Sequence, residues 1–276
     1  MALDIRSCLA KTDQLTDSDS ARIDIERLLC HVLKKNRAYL FAWPEKELTE
    51  TQNQQFQAML VRRISGEPIA HIVGTHEFWN VELEVNASTL IPRPETELLV
   101  ELALNYAKSE MRVLDLGTGT GAVALALAAE MSDSTVVGVD RIADAIDLAD
   151  RNKARNGLAN VSFYCSDWFS GVDGCFDLIV SNPPYIESGD PHLSRGDLRF
   201  EPESALVAGV TGLDDIAVIV KQSKDYLFEQ GWLILEHGYN QADAVRRLFI
   251  AAGFEQVETA RDLSNNDRVT LGCWHG

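Results

Sequence analysis

Val113-Leu114-Asp115-Leu116-Gly117-Thr118-Gly119-Thr120-Gly121 is an apolar strand that runs into a glycine-rich turn and opens a helix at Ala122. Glycines at such a turn accept positive φ without a Cβ penalty and let a ligand approach the backbone. The helix behind them offers unpaired N–H groups at its amino end. The spacing Gly117-x-Gly119-x-x-Ala122 also satisfies the dinucleotide fingerprint. The loop by itself therefore marks a nucleotide-like site and leaves the ligand open.

Outward from this loop, strands and helices alternate. The pattern predicts strands over 112–116, 135–140, 161–166, 178–181 and 232–236. It predicts helices over 122–130, 143–156, 215–230 and 242–252, and two closing strands over 256–261 and 268–274. This is an α/β chain with a doubly wound, mainly parallel sheet, an antiparallel hairpin at one edge, and its ligand at the carboxyl ends of the strands. Ahead of it, Trp79, Val81, Leu83 and Val85 alternate with polar residues, as a strand of a connecting hairpin would.

The acidic residues narrow the ligand. Asp140 ends the second strand about twenty residues on, where a carboxylate suits a ribose diol. Asp115 would repel a pyrophosphate, yet it suits the amino-acid end of the cationic sulfonium S-adenosylmethionine. Ser166-Asp167-Trp168 places a carboxylate and an aromatic ring where an adenine would lie. The expected cofactor site is Asp115, Gly117, Thr118, Gly119, Thr120, Gly121, Asp140, Asp167 and Trp168, with Asn182 at its edge; Trp168 as core filling is the plainer alternative.

Ser181-Asn182-Pro183-Pro184-Tyr185 follows the apolar strand at 178–180. Two prolines fix φ and remove two donors, leaving a stiff loop whose free backbone groups are acceptors. An Asn side-chain oxygen and a proline carbonyl can take both hydrogens of an –NH₂ group, and Tyr185 offers a face for a planar target. Such acceptors enrich and aim a delocalised nitrogen for in-line methyl transfer. Asn182, Pro183, Pro184 and Tyr185 are therefore the candidate catalytic residues. The acceptor is an adenine, cytosine or guanine amine, or a glutamine amide.

The first 75 residues read as a small helical bundle. Ile23, Leu28, Leu29, Val32 and Leu33 recur at helical spacing after a Ser18 or Asp19 cap. Past Pro44, Thr49 or Thr51 caps a second helix with Phe56, Met59, Leu60 and Ile64 on its apolar face, stopped at Gly66 and Pro68. The expected organisation is a helical domain over 1–75, a hairpin linker over 76–97 and a catalytic domain over 98–276. Residues 1–75 hold ten cationic and ten anionic side chains, so the whole net charge of −17 lies beyond them. A field of that sign disfavours a duplex or ribosomal RNA partner. Residues 1–20 contain no apolar signal core and no membrane span is expected, which points to a soluble, cytosolic protein. The five scattered cysteines suggest neither disulfides nor a metal site.

Taken together, the chain resembles the release-factor glutamine N5-methyltransferases, the HemK/PrmC family. The resemblance runs through Gly66-Glu67-Pro68-Ile69-Ala70-His71-Ile72-Val73-Gly74, Leu90-Ile91-Pro92-Arg93-Pro94-Glu95-Thr96-Glu97, the Asp115–Gly121 loop, Asn182 to Tyr185, Glu201-Pro202 with Ala205-Leu206, and Arg261-Asp262 with Arg268-Val269. It implies a helical N-terminal domain joined by a hairpin to a class I S-adenosylmethionine-dependent methyltransferase domain. It also implies, as substrate and partner, the Gly-Gly-Gln glutamine of class 1 peptide chain release factors. The 92–97 segment resembles the family's active-site border; for Glu95 and Glu97 a helix start is the plainer role. A ribosomal-protein glutamine methyltransferase, a base N-methyltransferase and a non-catalytic dinucleotide-binding module remain as alternatives.

Overall fold

The computed structural model describes residues 3–16, 18, 20–194 and 196–276. The chain forms two compact units: one holds the residues up to Thr75 together with Ser194–Phe200, the other His76–Leu193 with Glu201–Gly276.

The first unit is helical: α1 (Ile5–Leu9), α2 (Ala21–Leu33), α3 (Arg37–Ala42), α4 (Glu50–Ile64) and α5 (Ile69–Val73). Its core joins Leu28, Leu29 and Val32 of α2 to Phe56, Met59 and Leu60 of α4, as the spacing predicts. Ile23 and Ile64, assigned to the same faces, are instead exposed at 53% and 48%, and Ile25 fills the core in α2. Thr49 caps α4 through a reciprocal capping box with Gln52. Asp19 lies outside the described residues. Ser20 occupies the N-cap of α2 without capping through its side chain, and Ser18 binds the buried Asp24 at 2.8 Å. Gly66, at φ +89°, closes the turn after α4, where Arg62 and Arg63 hold Glu67 by its carboxylate and carbonyl.

The second unit, from His76, opens within a two-stranded hairpin, β1 (Thr75–Phe78) and β2 (Val81–Glu84). Trp79, expected inside the strand, sits in the turn at φ +52° with its indole donating to Glu130; Val81, Leu83 and Val85 are buried as expected. Then follow α6 (Glu97–Asn105), β3 (Arg112–Leu116), α7 (Ala122–Glu130), β4 (Thr135–Asp140), α8 (Ala143–Asn156), β5 (Val161–Cys165) and β6 (Phe176–Ser181). The chain ends with α9 (Asp214–Ser223), β7 (Leu227–Glu236), α10 (Ala242–Ala252), β8 (Glu255–Arg261) and β9 (Asp267–Trp274). The sheet order is β5-β4-β3-β6-β7-β9-β8, parallel except for β9, which runs antiparallel to both its neighbours. Helices α6, α7 and α8 touch one another in succession, and α9 packs with α10. This is a doubly wound sheet.

One helix is shorter than its spacing suggests. The helix expected over 215–230 ends at Ser223, because Ser223 Oγ turns back onto the Val220 carbonyl and Tyr226 closes a turn on Ser223. Leu227 then pairs with Phe176 in the sheet, and a bulge carrying Gln230 at φ +65° restores the register to Leu178↔Trp232. Sheet pairing and the stack of Tyr226 on Phe169 at 4.6 Å outweigh local helix propensity. No helix among the described residues is long and apolar enough to cross a membrane.

Candidate active site

Strand order places the site. The chain runs outward from β3 to β4 and β5, then returns to β6 on the other side of β3, so a crevice opens between the carboxyl ends of β3 and β6. Leu116 and Ser181 are register partners there, and Ser181 Oγ donates to the Leu116 carbonyl at 2.7 Å. Gly117 and Asn182, sixty-five positions apart in sequence, each stand one residue beyond this pair.

A cleft of about 950 Å³, counted with its solvent mouth, occupies that crevice. It gathers Asp115, Gly117, Thr118, Gly119, Thr120, Asp140, Asp167, Trp168, Asn182 and Pro184. Of the residues expected at the site, Gly121, Pro183 and Tyr185 do not line it. Gly121 instead sits behind the loop at φ +82°, where a Cβ would press on Leu125, Phe163 and Ala149 at 3.1–3.2 Å. Tyr185 packs on the sheet core, its hydroxyl donating to Glu236 at 3.3 Å.

Two of the three acidic groups are tied to the glycine loop and the helix it opens. Asp115 is buried; its Oδ2 accepts from Thr118 Oγ1 at 2.7 Å and from the Ala124 N–H, in the first turn of α7, at 3.2 Å. Burial nonetheless pushes its pKa up to about 7, against the opposing pull of those two donors. Asp140 accepts from the N–H groups of Gly119 and Ile142, both at 3.0 Å, which ties β4 to the glycine loop. Asp167 is exposed at the rim. Trp168 is held at φ +48°, and its ring lies beside Gly117, whose own φ of +70° favours glycine. Trp168 also packs on the core, as the plainer alternative expects.

In the Asn-Pro-Pro-Tyr loop, Asn182 Nδ2 donates to Thr96 Oγ1 at 3.0 Å. Asn182 Oδ1 and the carbonyls of Pro183 and Pro184 accept no hydrogen bond from any described residue. Gln241 fixes the far end by donating to the Tyr185 carbonyl at 3.0 Å. Gly212, at φ +67°, lies so close beneath that a Cβ would come within 2.3 Å of the same carbonyl.

Several supporting residues lie outside the glycine and Asn-Pro-Pro-Tyr loops. Asn152, fully buried, donates to the Thr120 and Glu84 carbonyls and binds the glycine loop to β2. Glu201 accepts from the Ile91 N–H at 3.1 Å and from Arg93 at 2.6 Å, which pins the segment carrying Thr96. Arg268 pairs with Asp262 at 3.2 Å and reaches the His237 carbonyl at the end of β7. Glu97 receives the Trp79 N–H at the start of α6, in keeping with its helix-start role. Thr89, buried on the cleft wall, has an Oγ1 with no hydrogen-bond partner among the described residues.

Fold and cleft define a Rossmann-like methyltransferase. Residues 107–244 match the model described as a methyltransferase domain, and residues 10–74 match the PrmC N-terminal domain. A crystallised methyltransferase from Pyrococcus furiosus shares this fold at a TM-score of 0.56 and 18% identity, over 80% of this chain and 98% of that one. The release factor glutamine methyltransferase of Pseudomonas aeruginosa is 54% identical over 96% of this chain and 97% of its own length. That of Escherichia coli strain K12 is 52% identical over 95% of each. The chain belongs to the release factor glutamine methyltransferase family.

Proposed function

We propose that this enzyme transfers a methyl group from S-adenosylmethionine to the side-chain amide nitrogen of the glutamine in the Gly-Gly-Gln loop of class 1 release factors, in the cytosol. One observation carries the reading: Asn182 has its donor end engaged by Thr96 and its acceptor oxygen unengaged, at the edge of a cleft that also presents three carboxylates and an indole. The cofactor fits this cleft. Asp140 and Asp115 suit a diol and an ammonium, Trp168 suits an adenine face, and the unpartnered Thr89 hydroxyl is a polar group such a ligand would satisfy. When bound, it supplies the electrophilic methyl on a sulfonium.

The chain's own residues bind and aim the acceptor. Asn182 Oδ1 and a proline carbonyl of the same loop take the two amide hydrogens, raising electron density on a nitrogen that resonance would otherwise leave inert. The prolines hold that geometry before the substrate arrives, so little ordering remains for the reaction itself. Glycines beside the target glutamine would let an extended backbone enter a narrow cleft. The helical unit, with its balanced charge, would add affinity for the release factor away from the chemistry.

Labelled methyl transfer to purified release factors, ribosomal proteins, DNA and ribosomal RNA in parallel tests the reading. Mass spectrometry should place one methyl on the Gly-Gly-Gln glutamine alone. Label on a ribosomal protein or on adenine, with release factors unmodified, overturns the substrate.

A further inference from the structure

Glu236, at the carboxyl end of β7, is 1% exposed, and no motif points to it. Its Oε1 receives the Tyr185 hydroxyl, and its Oε2 has no hydrogen-bond partner among the described residues. The Thr96 hydroxyl, itself buried, is its polar neighbour and acts on its ionisation, without closing a regular hydrogen bond. Thr96 in turn accepts from Asn182 Nδ2. One buried carboxylate thus stands behind both ends of the Asn-Pro-Pro-Tyr loop.

Direction is what such a chain of groups controls. The two ends of an Asn amide are nearly isosteric, and a threonine hydroxyl can donate or accept. Nothing in Thr96 alone decides whether Asn182 shows the cleft its oxygen or its NH₂. An ionised carboxylate decides it, because it can only accept. With the Thr96 proton turned toward Glu236, the Thr96 lone pair takes Asn182 Nδ2, and Oδ1 is left facing the cleft.

We propose that Glu236 is a positioning residue for methyl transfer, acting through Thr96 and Tyr185 to hold Asn182 with its oxygen toward the acceptor amide, and that it does so only as the carboxylate. The proposal rests on the reading of Asn182 as the acceptor of an amide hydrogen. A protonated Glu236 carries a donor, which permits the reversed chain: Glu236 to Thr96, Thr96 to Asn182 Oδ1, and Asn182 NH₂ into the cleft. The groups facing Glu236 are Arg268 from β9, Tyr185 from the loop, and Thr96 and Glu95 from the turn before α6. Neighbouring His237 directs its ring to Thr270 and the Gly238 carbonyl instead. Burial is the largest influence and lifts the carboxyl pKa to about 7, against the pull of Thr96, Arg268 and Tyr185. The switch between the two directions then falls near neutral pH.

The test is single-turnover methylation of purified release factor by the full-length enzyme preloaded with S-adenosylmethionine, from pH 5.5 to 9. Wild type should lose rate as pH falls through about 7. Glu236→Gln keeps the shape and an acceptor for Tyr185, but gains an NH₂ able to reverse Thr96. It should cut the rate by about 10²-fold, the scale of losing one preorganised acceptor, and abolish the acid limb. Its affinity for S-adenosylmethionine should stay within about threefold of wild type. Thr96→Val should reproduce the loss and Thr96→Ser should recover most of it, a series that decides the matter even where the Gln variant fails to fold. Rates for Glu236→Gln and Thr96→Val above half of wild type, beside an inactive Asn182→Ala, overturn the relay and leave the acceptor reading standing. An active Asn182→Ala removes that reading, and the relay with it.

Discussion

Replacing Asp115 by Asn should make the protein more stable and a poorer binder at once. The carboxyl is fully enclosed, with a folded-state pKa of about 7 against an ordinary 3.8. A carboxyl whose pKa rises on folding keeps its proton longer in the folded chain. Stability therefore declines as pH climbs from about 4 to 7 and stays at the lower level above that. Three units of displacement correspond to about 4 kcal/mol as an upper figure. An Asn side-chain oxygen can still accept from Thr118 Oγ1 and the Ala124 N–H, so these hydrogen bonds survive while the buried charge disappears. Asp115→Asn should thus gain about 2–4 kcal/mol of unfolding free energy at pH 8 and about none at pH 4. In a chain of this size that raises Tm by roughly 4–12 °C at pH 8 in calorimetry. Affinity for the cationic S-adenosylmethionine should move the other way, weakening by about 1.5–3 kcal/mol, the scale of a hydrogen bond to a charged group. Wild-type affinity, titrated calorimetrically, should fall about three- to fivefold between pH 7 and pH 6 as the carboxyl takes up its proton, and that dependence should vanish in the variant. A variant no more stable than wild type at pH 8, or one that binds S-adenosylmethionine equally well, refutes the argument.

Three further outcomes are expected. Asn182→Ala should lower turnover by about 10² to 10³-fold with cofactor affinity nearly unchanged, since it removes an acceptor needed most as the nitrogen becomes nucleophilic; half of wild-type turnover at saturating substrate contradicts this. Asp140→Ala should weaken S-adenosylhomocysteine binding by roughly 1.5–3 kcal/mol, because it removes the expected ribose acceptor and frees the Gly119 and Ile142 N–H groups; unchanged affinity in calorimetry would sink the ribose assignment. Gly212→Ala drives a Cβ to within 2.3 Å of the Tyr185 carbonyl and strains a left-handed φ. It should slow turnover by at least about tenfold through loop displacement, and a crystal structure showing Asn182 unmoved with full activity would count against that.

Local chemistry made much of the fold legible. Glycines at 117, 119 and 121 take the left-handed conformations their turn requires, and the helices at Ala122, Ala143 and Ala242 begin and end where the spacing put them. Spacing misled where long-range pairing competed with it. Tyr226 and Leu227 suit a helix locally, yet a stacking ring and a β-partner on Phe176 claim them. Ile23 and Ile64 continue an apolar period past the point where anything covers it.

The same division runs through the site. By itself the sequence picked out groups that line the cleft, because the glycine loop, Asp140, Trp168 and Asn182 lie in short motifs whose backbone conformation and side-chain chemistry are local. Only the tertiary structure decided what holds them. Asn152, Gln241 and Glu236 stand at unremarkable positions in the chain, Thr96 stands in a segment that only the resemblance singled out, and each reaches across at least thirty residues of sequence. A buried carboxylate acquires its role from the strand order that brings β7 beside β6, and from the low-dielectric surroundings that shift its proton affinity. Neither is a property of the residues next to it in the chain.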